Sequence, residues 1–281
     1  MYIQKVKLKY QKWEAEMLPL FGANVISLKH DGFEILRSPE NMTVLTESPY
    51  LYGTPLLFPP NRTEGGRFCF DGVYYSLELN EPQRNNHIHG KMFDAPFSIL
   101  KTEMNSVTCV YEDCGERYPF PFRMTIICSL GEDGLTQTIE IENTSDSDMP
   151  VLLGLHTTFA EPHIFSVPLG KRWETNENYI PTGRLLEIEE HERLYIRGCS
   201  PKRRIISGFF TAAGNTARIG NYFYHTSENF SQWILYNGGG DKGFLCIEPQ
   251  SGPVNGLNMK DGHLRLESRK YVMFWTRISD R

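Results

Sequence analysis

Glu248 ends an apolar run, Phe244-Leu245-Cys246-Ile247, with Pro249 directly after it. Such a run reads as a buried strand, which the proline is expected to end. A carboxylate at the inner end of a hydrophobic strand cannot stay ionised without partners, because desolvating a lone charge costs several kcal/mol or more. It is therefore either a structural acceptor for nearby N–H groups or the floor of a polar cleft where its charge is used. Gln250, Ser251, Asn255 and Asn258 follow among glycines and prolines, a set suited to the wall of a site for a hydroxyl-rich ligand.

Three other stretches carry groups of the right type. Gly154-Leu155-His156 closes an apolar strand with an imidazole, the side chain whose proton affinity suits acid–base work near neutrality. Asn85-Asn86-His87-Ile88-His89-Gly90 places two histidines on one side of an extended segment, where they can bind a ligand, bind metal or pack. Gly90 permits another backbone or a ligand to come close to His89. Leu56-Leu57-Phe58 is followed by two prolines, Asn61 and Arg62. An arginine on a proline-stiffened loop offers a rigid fork of donors to hydroxyls or to a carboxylate.

The elements that must position these groups are strands. Apolar residues recur with a period of two in residues 6–10, in part of 25–30, and in 107–111, 122–129 and 135–142. Residues 143–148 form a polar turn before the apolar run 151–155, so 135–142 and 151–155 are expected to pair as a hairpin. Residues 205–211, 230–236, 244–247 and 271–278 are further strand candidates. Helical signals are confined to short turns at 42–45, 221–225 and 187–193. With no repeat, low-complexity segment or linker, residues 1–281 read as one all-β domain, a large β-sandwich.

Composition narrows the function. The chain has 281 residues, 22% of them charged, and a formal net charge of −5, which argues against nucleic acid or an anionic membrane as partner. The basic cluster Lys202-Arg203-Arg204 reads as a solvated turn. No stretch approaches a membrane span, and the amino terminus lacks the hydrophobic region of a signal peptide. Six cysteines occur without a CxxC pair, and Cys69, Cys109, Cys128 and Cys246 lie in apolar, strand-like contexts. Buried free thiols in a reducing cytoplasm account for them, and no Cys/His spacing fits a zinc site.

Taken in order, LFPPNR (57–62), HIHG (87–90), His156-x-x-Phe159 after an apolar strand, IPTG (180–183) within WETNENYIPTGRLL, and EPQ (248–250) resemble the aldose 1-epimerases, or galactose mutarotases. The resemblance runs from about Pro55 to Asn258. It implies a β-supersandwich with an open cleft, no cofactor, no metal, and a free sugar as substrate of a monomer or homodimer. By motif, Glu248 would be the general base and His156 the general acid. His89, Arg62, Asn61 and Gln250 would contact the sugar, with His87 the weaker of the two histidines.

Two departures bear on sugar specificity. Family members carry an Asp in the strand after IPTG, where this chain has Ile206-Ser207-Gly208-Phe209-Phe210. An aromatic normally precedes the Phe of the histidine motif, where this chain has Thr157 and Thr158. The alternatives are a hexose-6-phosphate 1-epimerase, which calls for Arg62, Arg67 and Arg84 to converge on the cleft, and a non-catalytic sugar-binding protein of the same fold. A glycoside hydrolase would need a second, suitably spaced carboxylate.

Overall fold

The structure is a computed structural model and describes residues 4–281. Two eight-stranded sheets pack face to face. In the first, the antiparallel run Ser98–Thr102, Ser106–Asp113, Phe122–Gly131, Gly134–Asn143 continues through Tyr271–Ser279 and Tyr222–Thr226 to Thr216–Ile219 and Phe165–Ser166. The second runs from Pro181–Leu186 and Leu169–Thr175 through Ser207–Ala212, Gln232–Tyr236 and Phe244–Gln250 to Gly154–Leu155 and Leu56–Leu57. Thr158–Ala160 also pairs with Phe244–Gln250. Val6–Tyr10, Trp13–Leu18, Asn24–His30 and Phe33–Glu34 form a separate antiparallel sheet.

The long strands alternate as their sequences require. Phe122–Gly131 buries every second residue, and Phe122, Met124, Ile126, Cys128 and Leu130 all face the core. One contiguous cluster joins these to Leu245, Ile247 and Trp233 of the other sheet. Tyr224 closes the contact between the sheets, its ring centroid 5.4 Å from that of Phe159 and 6.2 Å from that of Trp233.

Several expectations change. Residues 134–143 and 151–155 do not form a hairpin. Gly134–Asn143 pairs with Phe122–Gly131 and Tyr271–Ser279, and Met149–Val151 pairs with Leu264–Leu266. The Asn143 amide donates to the carbonyls of Ser147, Leu266 and Glu267, which ties the turn to the later segment instead. Residues 221–225 belong to the strand Tyr222–Thr226, and the helix near 187–193 lies further on, at Arg193–Arg197. Met42–Glu47 is helical, with Asn41 Oδ1 accepting from the Val44 N–H as a cap. Cys69 is exposed, unlike the buried Cys109, Cys128 and Cys246.

Pro249 does not end its strand, which runs to Gln250. The strand is buried on both faces. Leu245 and Ile247 belong to the sandwich core, while Cys246, Glu248 and Gln250 take the opposite face. Beside Pro249 the neighbouring chain splits into Gly154–Leu155 and Thr158–Ala160, so its missing N–H coincides with an interrupted ladder.

Candidate active site

Strand register builds the floor of the site. Gly154 pairs with Gln250 and Thr158 with Cys246, so the unchanged register between them sets His156 opposite Glu248. On the other side Glu248 pairs with Ile234, and Ile234 with Phe209. One row across the sheet therefore reads Phe209, Ile234, Glu248, His156. The next row reads Ser207, Tyr236, Cys246, Thr158.

A cavity of about 570 Å³ opens above this floor. Glu248 and His156 lie at its base, with Asn61, Arg62 and His89 on the wall. Gln250 does not line it. Its Nε2 donates to Glu248 Oε2 at 3.3 Å from full burial, so it fixes the carboxylate from behind. The other polar residues of that stretch are structural as well. Ser251 Oγ accepts from the Leu153 N–H, Asn255 Oδ1 accepts from the Glu64 N–H, and the Asn258 amide donates to the Arg67 carbonyl.

His156 Nε2 and Glu248 Oε1 are 3.3 Å apart, and both side chains are buried. The two groups are neighbours, not partners across the cavity. Burial pushes the Glu248 carboxyl up to about 8, against smaller opposite effects of the Gln250 hydrogen bond and the Arg62 charge. Burial also pushes the His156 imidazole down to about 4. Between these values the pair holds one proton, which belongs to both groups together. The Nδ1 atom of His156 is buried without a partner.

Backbone geometry separates the two histidines of HIHG. His87 lies in the strand Asn86–Ile88, and its Nδ1 meets the Glu78 carbonyl at 2.6 Å, away from the cavity. His89 sits in the left-handed region at φ 67°, where its ring turns onto the cavity wall. A Cβ on Gly90 would lie 2.0 Å from the Phe58 carbonyl oxygen, so only glycine lets the HIHG loop approach the LFPPNR segment this closely. Desolvation, then the nearby His156 and Arg62, push His89 well below the usual histidine range, and it stays neutral.

Arg62 reaches the cavity through residues that sequence reasoning missed. Its Nε and NH2 donate to the two oxygens of Glu81 at 2.8 and 2.9 Å, so the fork has found a carboxylate. Arg84 donates to the same Glu81 at 3.0 Å, and both guanidiniums sit 4.8 Å from the ring of Tyr179. Burial raises the Glu81 carboxyl, but hydrogen bonds from Arg62 and Asn86 and both arginine charges hold it below its ordinary value. Glu81→Ala leaves the largely buried Arg62 guanidinium without its carboxylate, which costs about 3 kcal/mol. Thermal unfolding should show a melting temperature lower by roughly 10 °C. An unchanged melting temperature would mean that Arg62 does not depend on Glu81.

Tyr50, after the helix Met42–Glu47, is the third missed residue. Its ring lies 4.6 Å from His89 and 6.0 Å from His156, and desolvation raises its hydroxyl so that it stays protonated. In the strand after IPTG, which carries no Asp, Ser207 and Phe209 face the cavity. Cys246 Sγ, a ring nitrogen of His156 and a carboxylate oxygen of Glu248 lie within 4.8 Å of one another. Sequence spacing hid this cluster because the histidine comes from a different strand. Among the described residues no helix is long and apolar enough to cross a membrane.

Known proteins share this fold. The aldose 1-epimerase family model matches residues 5–268. YihR, an uncharacterised protein of Escherichia coli (strain K12), is 24% identical over 287 residues, covering 95% of this chain and 90% of its own. A galactose mutarotase-like protein from Clostridium acetobutylicum superposes with a TM-score of 0.91 at 23% identity, covering 99% of this chain and 98% of that one. A galactose 1-epimerase from Lactobacillus acidophilus gives 0.76 at 15% identity, with 99% and 98% covered. At such identities the structures speak for the fold, a galactose mutarotase-like β-sandwich. The family match over nearly the whole length carries the assignment, and the chain belongs to the aldose 1-epimerase family.

Proposed function

We propose that the protein is a cofactor-independent mutarotase that interconverts the α and β anomers of a free sugar. The observation that carries this reading is the buried Glu248–His156 pair, 3.3 Å apart at the base of the cavity. The reaction starts from the less populated form of the one-proton pair, with Glu248 ionised and His156 protonated, which exchanges with the form that carries the proton on Glu248. Glu248 takes the proton of the anomeric hydroxyl, and that O–H electron pair becomes the second C1–O1 bond. The C1–O5 bond breaks, and its electrons take the His156 proton at O5. Rotation about C1–C2 and the reverse transfers close the ring on the other face.

O1 and O5 share one carbon, so two adjacent side chains can serve both. Each transfer contributes about 10²–10⁴-fold. After each turnover the proton is back on the pair, with no exchange with solvent. Neutral His89 and protonated Tyr50 supply hydrogen bonds to sugar hydroxyls, and Asn61 and Arg62 complete the polar wall.

The wall favours a neutral sugar over a hexose phosphate. Of the three arginines the phosphate reading requires, Arg62 and Arg84 line the cavity, whereas Arg67 is exposed and outside it. Glu81 offsets one of the two charges that remain. Anomer-resolved proton NMR of freshly dissolved α-hexoses, with and without protein, tests the reading against hexose 6-phosphates in the same tubes. Faster equilibration of a free hexose is expected. Acceleration of the phosphates alone would move the assignment to the phosphate branch, and acceleration of none would leave a sugar-binding protein.

A further inference from the structure

We propose that Cys246, His156 and Glu248 form a binding site for one thiophilic divalent cation, of the zinc and cadmium class, and that the ion switches the acid–base pair off. The inhibitory half rests on the proposed function, whereas the binding half does not. The three ligand atoms lie within 4.8 Å of one another, all on buried side chains. A mixed sulfur, nitrogen and oxygen set selects a soft or borderline metal over magnesium or calcium.

The nitrogen–oxygen edge fits a tetrahedral ion, and the thiol, within 4.8 Å of both atoms, closes onto it by a side-chain rotation. Zinc–nitrogen and zinc–oxygen bonds of about 2.0–2.2 Å give a tetrahedron edge of roughly 3.3–3.6 Å. The observed His156 Nε2–Glu248 Oε1 separation is 3.3 Å. Register holds the thiol next to this edge, because Cys246 is two residues before Glu248 on the same face of one strand. Among the described residues, its one side-chain hydrogen bond is with Thr158 Oγ1 at 3.3 Å, which a metal bond would replace. Gln250 already fixes the far oxygen of Glu248, as an outer-shell partner does at a metal site. Glu248 and His156 line the cavity, which is the way in, while Cys246 lies buried behind them.

The same surroundings make the ion a reversible inhibitor and not a resident. A histidine ligand normally donates from its second nitrogen to an acceptor. Among the described residues, His156 Nδ1 is buried with no acceptor in good geometry, only its own backbone close by. Ligation through Nε2 therefore leaves the second proton poorly accepted, which weakens the bond. A bound ion occupies the base and the acid together, so neither can reach the sugar.

The test is a cadmium titration followed by thiolate-to-cadmium charge-transfer absorption. It uses protein in which the exposed Cys69 and Cys114 are replaced by serine, with Cys246→Ala or Cys246→Ser added. Melting curves select whichever added variant retains the fold. The parent should bind one cadmium with a band that the Cys246 variant lacks. Zinc should slow anomer exchange by the parent and chelator restore it, while the Cys246 variant keeps its metal-free rate and needs at least about 10-fold more zinc for the same inhibition. No band in the parent, a band that survives loss of Cys246, or unchanged zinc sensitivity overturns the proposal. A Cys246-dependent band in a protein that accelerates no sugar upholds the metal site and removes the mutarotase reading instead.

Discussion

Glu248→Gln is expected to abolish most of the anomer exchange while leaving a protein that is at least as stable as the parent. Glutamine keeps the shape and the contact to Gln250 but cannot take the anomeric proton, so the rate should fall roughly 10²-fold or more. The stability expectation follows from the pKa. Burial raises the Glu248 carboxyl from 4.5 to about 8 in the folded protein. Its stabilising proton is fully held below the unfolded value and is lost as pH rises through about 8. At about 1.4 kcal/mol per pKa unit, ionising this buried group costs several kcal/mol at alkaline pH, and a neutral glutamine avoids that cost. Melting temperatures of the two proteins should therefore diverge in favour of the variant as pH rises from 4.5 to about 8, and stay apart above it. A variant that is less stable at every pH but fully active would make Glu248 a structural carboxylate.

His156→Gln is expected to lower kcat by about 10²–10⁴-fold with little change in KM, because the amide can still donate to Glu248 but cannot carry a proton to O5. Its stability should respond in the opposite pH range. The imidazole is depressed from 6.5 to about 4, so its contribution is present above 6.5 and lost as pH falls through about 4. The parent should therefore lose stability in acid relative to the variant. Initial rates over a range of sugar concentrations, corrected for buffer-catalysed mutarotation, separate the two roles. A raised KM with an unchanged kcat would make His156 a binding residue.

The sequence was most readable where local pattern and site coincide. The apolar run into Glu248 and the strand ending at His156 could be read directly, and both side chains reached the cavity. Their adjacency could not be read, because it comes from strand register across 92 residues of chain. Gln250 stays outside the cavity for a related reason. It shares a face with Glu248, but the strand continues past Pro249 and carries it into the packed interior.

The missed residues show how little composition says outside its context. Glu81-Pro82-Gln83 repeats the tripeptide found at Glu248-Pro249-Gln250. In the polar stretch Asn80–Asn86 it reads as solvated surface, yet Glu81 is buried by its bonds to Arg62, Arg84 and Asn86. The spacing of Glu81 and Arg84, three apart at a short turn, was the available signal for their ion pair. Tyr50 had none, since loop closure alone brings it over the histidines, and Tyr179 stood only as the residue before IPTG in WETNENYIPTGRLL.

The pH dependence of kcat/KM for anomer exchange tests the shared-proton pair most directly. A catalytic unit holding one proton should work between its two transitions, near 4 and near 8. Below the first the pair gains a second proton and has no base. Above the second it loses its only proton and has no acid. The expected result is a plateau across neutrality with limbs near those values, the profile disappearing in Glu248→Gln. A single inflection near the ordinary histidine value of 6.5, with no alkaline fall, would contradict the account.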